Sequence, residues 1–245
     1  MTKLSKPEDY AINIATPPTF DAQAVPIHKV CVDEKQVAKE FLDPAGLKER
    51  FRAPPQWQLE ITDENRHVIA SDIIAKRQRA GKTTKAAVLI PLLLKEDGLQ
   101  VLLTQRTNHL HDHAGQISFP GGRMDAQDEN PYDTALRESR EEIGLDPKRV
   151  EIIGHLPEYL TVSGYSVTPV VGLVQAQAEY VLDEFEVADV FEVPLSFLLD
   201  PSNHQVRLWQ SEQGSRRFYA MPYEHRFIWG ATAGMLRNLY HLLKV

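Results

Sequence analysis

The clearest feature of the hydrophobic pattern is an apolar run at residues 86–94 (AAVLIPLLL), followed by a turn signal at Asp97-Gly98. An unbroken run of this length is typical of a strand buried on both faces. Residues 99–104 have the same character, so the two segments predict a β-hairpin. The pattern also predicts strands at 150–156 and 167–174, a strand end and short helix at 191–199, and a second hairpin between 205–210 and 216–220.

Two segments show helical periodicity. Residues 133–143 begin at a capping residue, either Asp133 or Thr134, and end before Gly144, a common C-terminal stop. Apolar residues near helical spacing predict an amphipathic helix at 227–243. Strands and helices that alternate in this way predict an α/β class, here an α+β mixed sheet, rather than a helix bundle or a β-sandwich.

The first eighty residues lack this alternation. Residues 1–30 are loop-like and contain several prolines, and 32–51 predict one or two short helices broken near Pro44. Residues 69–79, rich in Lys and Arg, predict another short helix or an extended arm. We therefore predict two parts, an N-terminal extension at 1–80 and a main domain at 81–245.

Charge and cysteine content exclude several classes of partner and site. The formal net charge of −7 repels nucleic acid and anionic membranes, so neither is expected as a partner. Cys31 is the only cysteine, which excludes an intrachain disulfide and a zinc site built from several thiolates. No stretch reaches the roughly 18 consecutive apolar residues of a membrane span, and no secretory signal pattern is present. A cytoplasmic location is expected.

The predicted helix at 133–143 carries a cluster of carboxylates. Glu138 and Glu142 lie one turn apart on the same helical face, and Glu141 flanks them. Arg137 has the i,i+4 spacing to form an ion pair with Glu141. Clustered carboxylates suit Mg²⁺ or Mn²⁺, which prefer oxygen ligands and activate bound water. Taken alone, the same composition also fits a solvated helix face with Glu–Arg pairs.

The segment 122–145 resembles the Nudix box, a glycine and an acidic residue followed by Arg-Glu-x-x-Glu-Glu-x-Gly and an aliphatic residue. The matching residues are Gly122, Asp128, Arg137, Glu138, Glu141, Glu142, Gly144 and Leu145. The chain departs from the usual box in two ways. The interval from Gly122 to Arg137 is one residue longer, and Ser139 stands where an aliphatic residue is usual. The resemblance implies a Nudix-type α/β/α sandwich in which the box forms a strand, a loop and a helix.

The resemblance also implies roles for these residues. Glu138 and Glu142 correspond to the principal metal ligands, and Glu141 to a third ligand or a water-positioning group. Arg137 corresponds to the residue that orients the carboxylates. The Gly121-Gly122 pair allows a tight turn and can offer a backbone carbonyl to a metal or substrate. Outside the box, we take Glu186 as a further ligand or general base, with an ordinary charged loop as the alternative.

The segment 102–122 resembles a second signature, found before the box in the coenzyme A pyrophosphatase branch of the family. The matching residues are Leu102, Leu103, Thr104, Arg106, Gly115, Phe119, Pro120, Gly121 and Gly122. Thr107 replaces the usual Ser or Ala, and His111 stands where Arg is expected. Arg106 with His109, His111 and His113 could form a cationic wall for the phosphates of coenzyme A. Surface decoration of a polar loop is the alternative for the histidines.

Together the two signatures imply metal-dependent hydrolysis of a small-molecule nucleoside diphosphate substrate, with Mg²⁺ or Mn²⁺ as cofactor. For coenzyme A or an acyl-CoA, the expected products are 3′,5′-ADP and (acyl-)4′-phosphopantetheine. Two alternatives stay open. One is another nucleoside diphosphate derivative, such as ADP-ribose, NADH or a dinucleotide polyphosphate. The other is a non-catalytic module that senses a nucleotide. A homodimer is also left open.

Overall fold

Strands make up most of the regular structure in the computed structural model, which describes residues 20–60, 62, 83–110, 114–161, 164–211 and 214–245. The helix or arm predicted at 69–79 lies outside these residues. The strands are β1 (Ile27–Val30), β2 (Thr84–Lys95), β3 (Gly98–Arg106), β4 (Ile117–Ser118), β5 (Gly121–Arg123), β6 (Val150–His155), β7 (Tyr159–Leu160), β8 (Tyr165–Gln175), β9 (Val187–Pro194), β10 (Gln205–Ser211), β11 (Gly214–Tyr223) and β12 (Arg226–Trp229).

A mixed sheet contains the strands from β2 to β9. Its main path runs β4-β3-β2-β8-β6, with β5 paired to β2, β7 to β8 and β9 to β3. The β2–β8 pairing is parallel and the others are antiparallel. The predicted hairpin at Asp97-Gly98 is confirmed, since Lys95 pairs with Gly98 across the turn. The predicted mixed α+β class is therefore confirmed.

Strand β2 is apolar along most of its length because its two faces contact two different cores. Leu89 and Leu93 are fully buried against the face that also contains Leu102 and Ala135. Ile90 and Leu92 belong to a larger core on the opposite face. Successive strand residues point to opposite faces, so a polar residue in either set would place a polar group in a buried core. This arrangement explains the unbroken apolar run.

Four α-helices occur in the described part of the chain, α1 (Pro44–Arg52), α2 (Pro131–Ile143), α3 (Leu195–Leu198) and α4 (Gly230–Leu243). Helix α2 starts earlier than predicted. Its N-cap is Asn130, whose side chain accepts hydrogen bonds from the N–H groups of Tyr132 and Asp133. Pro131 favours this start because the first helical position needs no N–H donor. The predicted stop is confirmed, since Gly144 adopts a left-handed conformation with φ 66°.

A second sheet, in the order β1-β10-β11-β12, is antiparallel. The hairpin predicted between 205–210 and 216–220 corresponds to β10 and β11. The sequence pattern missed β1. The helix predicted from residue 227 begins only at Gly230, because residues 226–229 pair with β11 as strand β12. Helix α4 is buried along almost its whole length rather than on one face. Within the described residues, no helix is both long and apolar enough to cross a membrane.

The described part of the N-terminal segment is fixed to helix α4 through a buried arginine. Arg237 is 1% exposed, and its guanidinium donates to the carboxylates of Glu34 at 2.9 Å and Glu60 at 2.7 Å. It also donates to Nδ1 of His204 at 3.0 Å, while Nε2 of His204 contacts the carbonyl of Leu198 at 2.7 Å. Burial lowers the pKa of His204 to about 4, so this ring is neutral near pH 7.

Candidate active site

Strand β5 and helix α2 bring a glycine pair against the predicted acidic cluster. Gly122 pairs with Ala87 of β2, and a Cβ atom on Gly122 would lie 2.5 Å from Oε2 of Glu138. Gly121 has φ 150° and also lies tightly against β2. Any larger side chain at Gly122 would therefore displace the Glu138 carboxylate. The local packing thus requires glycine where the motif has it.

Glu142 is the most buried carboxylate of the cluster. It is 6% exposed, and one carboxylate oxygen accepts a hydrogen bond of 3.1 Å from the Gly121 N–H. Burial raises the pKa of Glu142 to about 8, and the nearby charges of Glu138 and Glu186 act in the same direction. Burial also raises the pKa of Glu138. The structure therefore holds like-charged carboxylates together in a partly dehydrated position.

Arg137 binds three carboxylates and so fixes the geometry of the helix face. Its Nε and Nη2 atoms donate to the two oxygens of Asp128 at 3.0 and 2.9 Å. Its Nη1 atom lies 2.9 Å from Glu138 and 2.8 Å from Glu141, so the predicted pairing of Arg137 with Glu141 is confirmed. The bond to Asp128 raises the pKa of Arg137, and Arg137 lowers the pKa of Asp128.

The role of Asp128 in the site is not evident from the sequence. This residue is buried, and it also accepts hydrogen bonds from the Thr134 hydroxyl at 2.9 Å and the Asp125 N–H at 2.8 Å. Its match to the acidic position of the box was the available signal. Its pairing with Arg137 could not be predicted, because the two residues are nine positions apart and Asp128 lies outside the helix. Asp128 supports Arg137, which in turn orients the glutamates.

We expect Arg137→Lys to lower kcat by about tenfold to a hundredfold, the range typical of residues that orient metal ligands. Lysine keeps the charge, but an ammonium group cannot make the paired contacts of the guanidinium with Asp128. The measurement is steady-state hydrolysis with saturating Mg²⁺. Arg149→Lys, on the surface beside β6, serves as the control. Equal rates in Arg137→Lys and the parent would show that the guanidinium group of Arg137 does not position the glutamates.

Arg106 and Glu186 lie beside the glutamates although they are far from them in sequence. A terminal nitrogen of Arg106 is 4.0 Å from Glu142 and 3.8 Å from Glu186. Both distances exceed that of a hydrogen bond. The Nε atom of Arg106 is buried and has no hydrogen-bond partner among the described residues. Arg106 thus faces the acidic cluster with unused hydrogen-bonding capacity, as a binding group for an anion would.

The structure describes one of the three histidines predicted beside Arg106. His111 and His113 lie outside the described residues. His109 is exposed, and its ring centroid is 4.9 Å from that of Phe185. The structure therefore places His109 beside Phe185, the residue before Glu186, and the roles of His111 and His113 stay predictions.

The donor set fits a hard divalent cation. Glu138, Glu141 and Glu142 offer only oxygen atoms, the ligands that Mg²⁺ and Mn²⁺ prefer. Burial raises the pKa of Glu142, so a bound cation would stabilise the ionised form of this carboxylate. Among the described residues, no three His, Cys, Asp or Glu side chains are arranged so that together they could hold one metal ion. Mg²⁺ does not require three such ligands, because it keeps several waters and is commonly held through one or two carboxylates.

Comparisons with known proteins identify a family. The NUDIX domain model matches residues 83–214. The uncharacterized Nudix hydrolase NudL of Enterobacter sp. (strain 638) is 43% identical over 172 residues, covering 70% of this chain and 85% of the relative. NudL of Escherichia coli (strain K12) is 44% identical over 156 residues, covering 63% and 80%.

Among solved structures, the Nudix hydrolase RenU of M. smegmatis is 24% identical, covers 48% of this chain and 74% of its own, and has a TM-score of 0.41. The family model, by contrast, extends over more than half of this chain, and it includes the glycine pair, helix α2 and Glu186. The chain therefore belongs to the Nudix hydrolase family, whose members act on pyrophosphate bonds.

Proposed function

We propose that this Nudix hydrolase cleaves the diphosphate linkage of coenzyme A or an acyl-CoA, giving 3′,5′-ADP and (acyl-)4′-phosphopantetheine. The observation that carries the proposal is the position of Arg106. This residue belongs to the signature that resembles the coenzyme A branch, and its terminal nitrogen faces Glu142 and Glu186 at distances longer than a hydrogen bond. Its buried Nε has no hydrogen-bond partner among the described residues. A guanidinium with unused donors is suited to bind phosphate oxygens.

In this proposal Glu138 and Glu142, with Glu141 beside them, hold Mg²⁺ or Mn²⁺. The bound cation would neutralise diphosphate charge and lower the pKa of a coordinated water. Arg137 keeps Glu138 and Glu141 in place through the contacts at 2.9 and 2.8 Å. The protein thereby positions its ligands before substrate arrives, which reduces the reorganisation needed during reaction.

Arg106 and Glu186 serve the substrate in this proposal. Arg106 binds the diphosphate and holds it beside the carboxylates. The side chain of Glu186 is 43% exposed, so water can reach it, and its carboxylate lies 3.8 Å from the same terminal nitrogen of Arg106 that faces Glu142. As general base, Glu186 would accept a proton from the attacking water. Because Glu186 comes from the loop before β9, this group would be independent of the helix that carries the metal ligands.

The test is a product assay with Mg²⁺ or Mn²⁺ on coenzyme A, acetyl-coenzyme A, dephospho-coenzyme A, ADP-ribose and NADH. We expect kcat/KM to be highest for coenzyme A or its acetyl ester, with 3′,5′-ADP as a product. Preference over the dephospho form would show that the 3′-phosphate is recognised. Arg106→Gln should lower kcat/KM for all diphosphates. The matched control, Arg217→Gln on β11, should keep the kcat/KM of the parent.

The second candidate is hydrolysis of ADP-ribose or NADH, and the observation favouring it is His111. Histidine carries only a partial charge near neutral pH, so it is a weaker phosphate ligand than the arginine expected in the coenzyme A signature. Higher kcat/KM for ADP-ribose or NADH would overturn the coenzyme A proposal and retain the hydrolase. Binding of these compounds without any cleavage would support the non-catalytic alternative.

A further inference from the structure

Phe185 is a large apolar side chain exposed directly beside the proposed site. It is 65% exposed, and the next residue is Glu186, whose carboxylate is 3.8 Å from Arg106. A single exposed hydrophobic residue needs no functional explanation. Phe185 differs from such a residue in its surroundings, because it adjoins Glu186 and Arg106, the charged side chains to which we assign roles in substrate binding and catalysis.

The backbone at Phe185 and Glu186 is held by two hydrogen bonds from the residue that follows Arg106. The hydroxyl of Thr107 donates to the carbonyl of Phe185 at 2.8 Å, and the Thr107 N–H donates to the carbonyl of Glu186 at 3.0 Å. Thr107 is itself buried. The loop before β9 is therefore attached to the end of β3, and Phe185 keeps a defined distance from Arg106.

A second ring extends this surface. His109, in the loop after β3, lies with its ring centroid 4.9 Å from that of Phe185, and the two planes are inclined by 59°. The rings come from two different loops that Thr107 holds together. Phe185 is 65% exposed and His109 is also exposed, so each ring has surface that a flat molecule can reach. The pair thus borders the proposed diphosphate site with an exposed aromatic surface.

We propose that Phe185 and His109 form a subsite that stacks on the planar heteroaromatic base of the substrate. The proposal deepens the proposed function, because it assigns the base of a nucleoside diphosphate to one side of the Arg106–Glu186 pair. Stacking on a protein ring depends on the face of the base rather than on its hydrogen-bonding pattern, so this subsite would accept adenine with little selection among bases.

The direct test compares AMP with ribose 5-phosphate, which carries a hydroxyl group where AMP carries adenine. Dissociation constants are measured by NMR titration for the parent, Phe185→Ala and Phe185→Trp. We expect the parent to bind AMP more tightly than ribose 5-phosphate. Phe185→Ala should weaken AMP binding by about tenfold and leave ribose 5-phosphate unchanged. Phe185→Trp should bind AMP more tightly than ribose 5-phosphate, as the parent does. Equal binding of the two ligands by the parent would overturn the subsite.

The matched control is Val181→Ala, since Val181 lies in the same segment and is 75% exposed, but packs beside Gly144 at the end of α2. This variant should bind both ligands like the parent. In the hydrolysis assay, Phe185→Ala should raise KM for coenzyme A more than it lowers kcat. If coenzyme A is cleaved but Phe185→Ala changes neither KM nor AMP binding, the subsite is wrong and the proposed function stands. If no coenzyme A is cleaved but AMP binding depends on Phe185, the proposed substrate is wrong and the subsite stands.

Discussion

Glu142→Gln is expected to lower kcat by about a thousandfold, equivalent to about 4 kcal/mol of transition-state stabilisation. The substitution retains the shape of the side chain but removes the negative charge that, in our proposal, binds the cation. Glutamine can still accept the hydrogen bond from the Gly121 N–H, so the local structure should persist. Steady-state hydrolysis with Mg²⁺ and with Mn²⁺ measures the loss.

Thermal unfolding separates loss of metal binding from loss of folding. Glu142 is buried near two other carboxylates, so metal-free Glu142→Gln should be at least as stable as the parent. Mg²⁺ should raise the Tm of the parent by binding the folded state, with a much smaller increase in the variant. Glu96→Gln, in the exposed turn between β2 and β3, is the control. Unchanged turnover in Glu142→Gln would show that this carboxylate on helix α2 is not needed for catalysis.

Arg237→Met is expected to destabilise the protein by about 3–5 kcal/mol, the range measured when one member of a buried ion pair is removed. Methionine fills much of the same volume, but it leaves Glu34 and Glu60 without their buried cation. The Nδ1 atom of His204 also loses its donor. Urea unfolding at neutral pH gives the change in the free energy of unfolding.

The pH dependence of that difference provides an independent check. Burial alone would raise the pKa of Glu60, but hydrogen bonds and charge from His241 and Arg237 lower it from 4.5 to about 2. A carboxylate with a lowered folded-state pKa stabilises the fold above its unfolded value and loses this contribution as pH falls through the folded value. The parent and Arg237→Met should therefore converge in stability as pH falls from 4.5 towards 2.

Arg52→Met is the matched control for Arg237→Met, because the ion pair of Arg52 with Glu49 is exposed. Exposed pairs contribute little, so its effect should stay within about 1 kcal/mol. A similarly small effect of Arg237→Met would show that the N-terminal segment is held by other contacts. The division into an extension at 1–80 and a domain at 81–245 stays a prediction. The described residues nevertheless show Glu34 and Glu60 of that segment bound to helix α4.

Local sequence was sufficient where a structural feature depends on neighbouring residues. The apolar run of β2, the turn at Asp97-Gly98 and the stop at Gly144 all follow from short-range pattern or backbone preference. The i,i+4 pair of Arg137 with Glu141 follows from helix geometry alone. The start of α2 was misplaced because Asn130 and Pro131 compete effectively with later capping candidates.

Features that join distant segments needed the tertiary structure. Strand β1 has an exposed, weakly apolar sequence, and it is a strand because its backbone pairs with β10. Residues 226–229 leave the predicted helix for the same reason, since β11 offers them hydrogen-bond partners. Backbone pairing between strands is satisfied by any suitably placed edge, so it leaves little trace in the side-chain pattern.

The sequence by itself determined the family, the acidic helix face and the glycine pair, because these depend on residue type at fixed spacing. Only the tertiary structure decided that Glu142 is buried, that Asp128 holds Arg137, and that Arg106 and Glu186 meet beside the glutamates. It also brought Phe185 and His109 together. The physical reason is that burial and charge proximity depend on how β3, β9 and α2 pack, and these elements are separated by long stretches of chain.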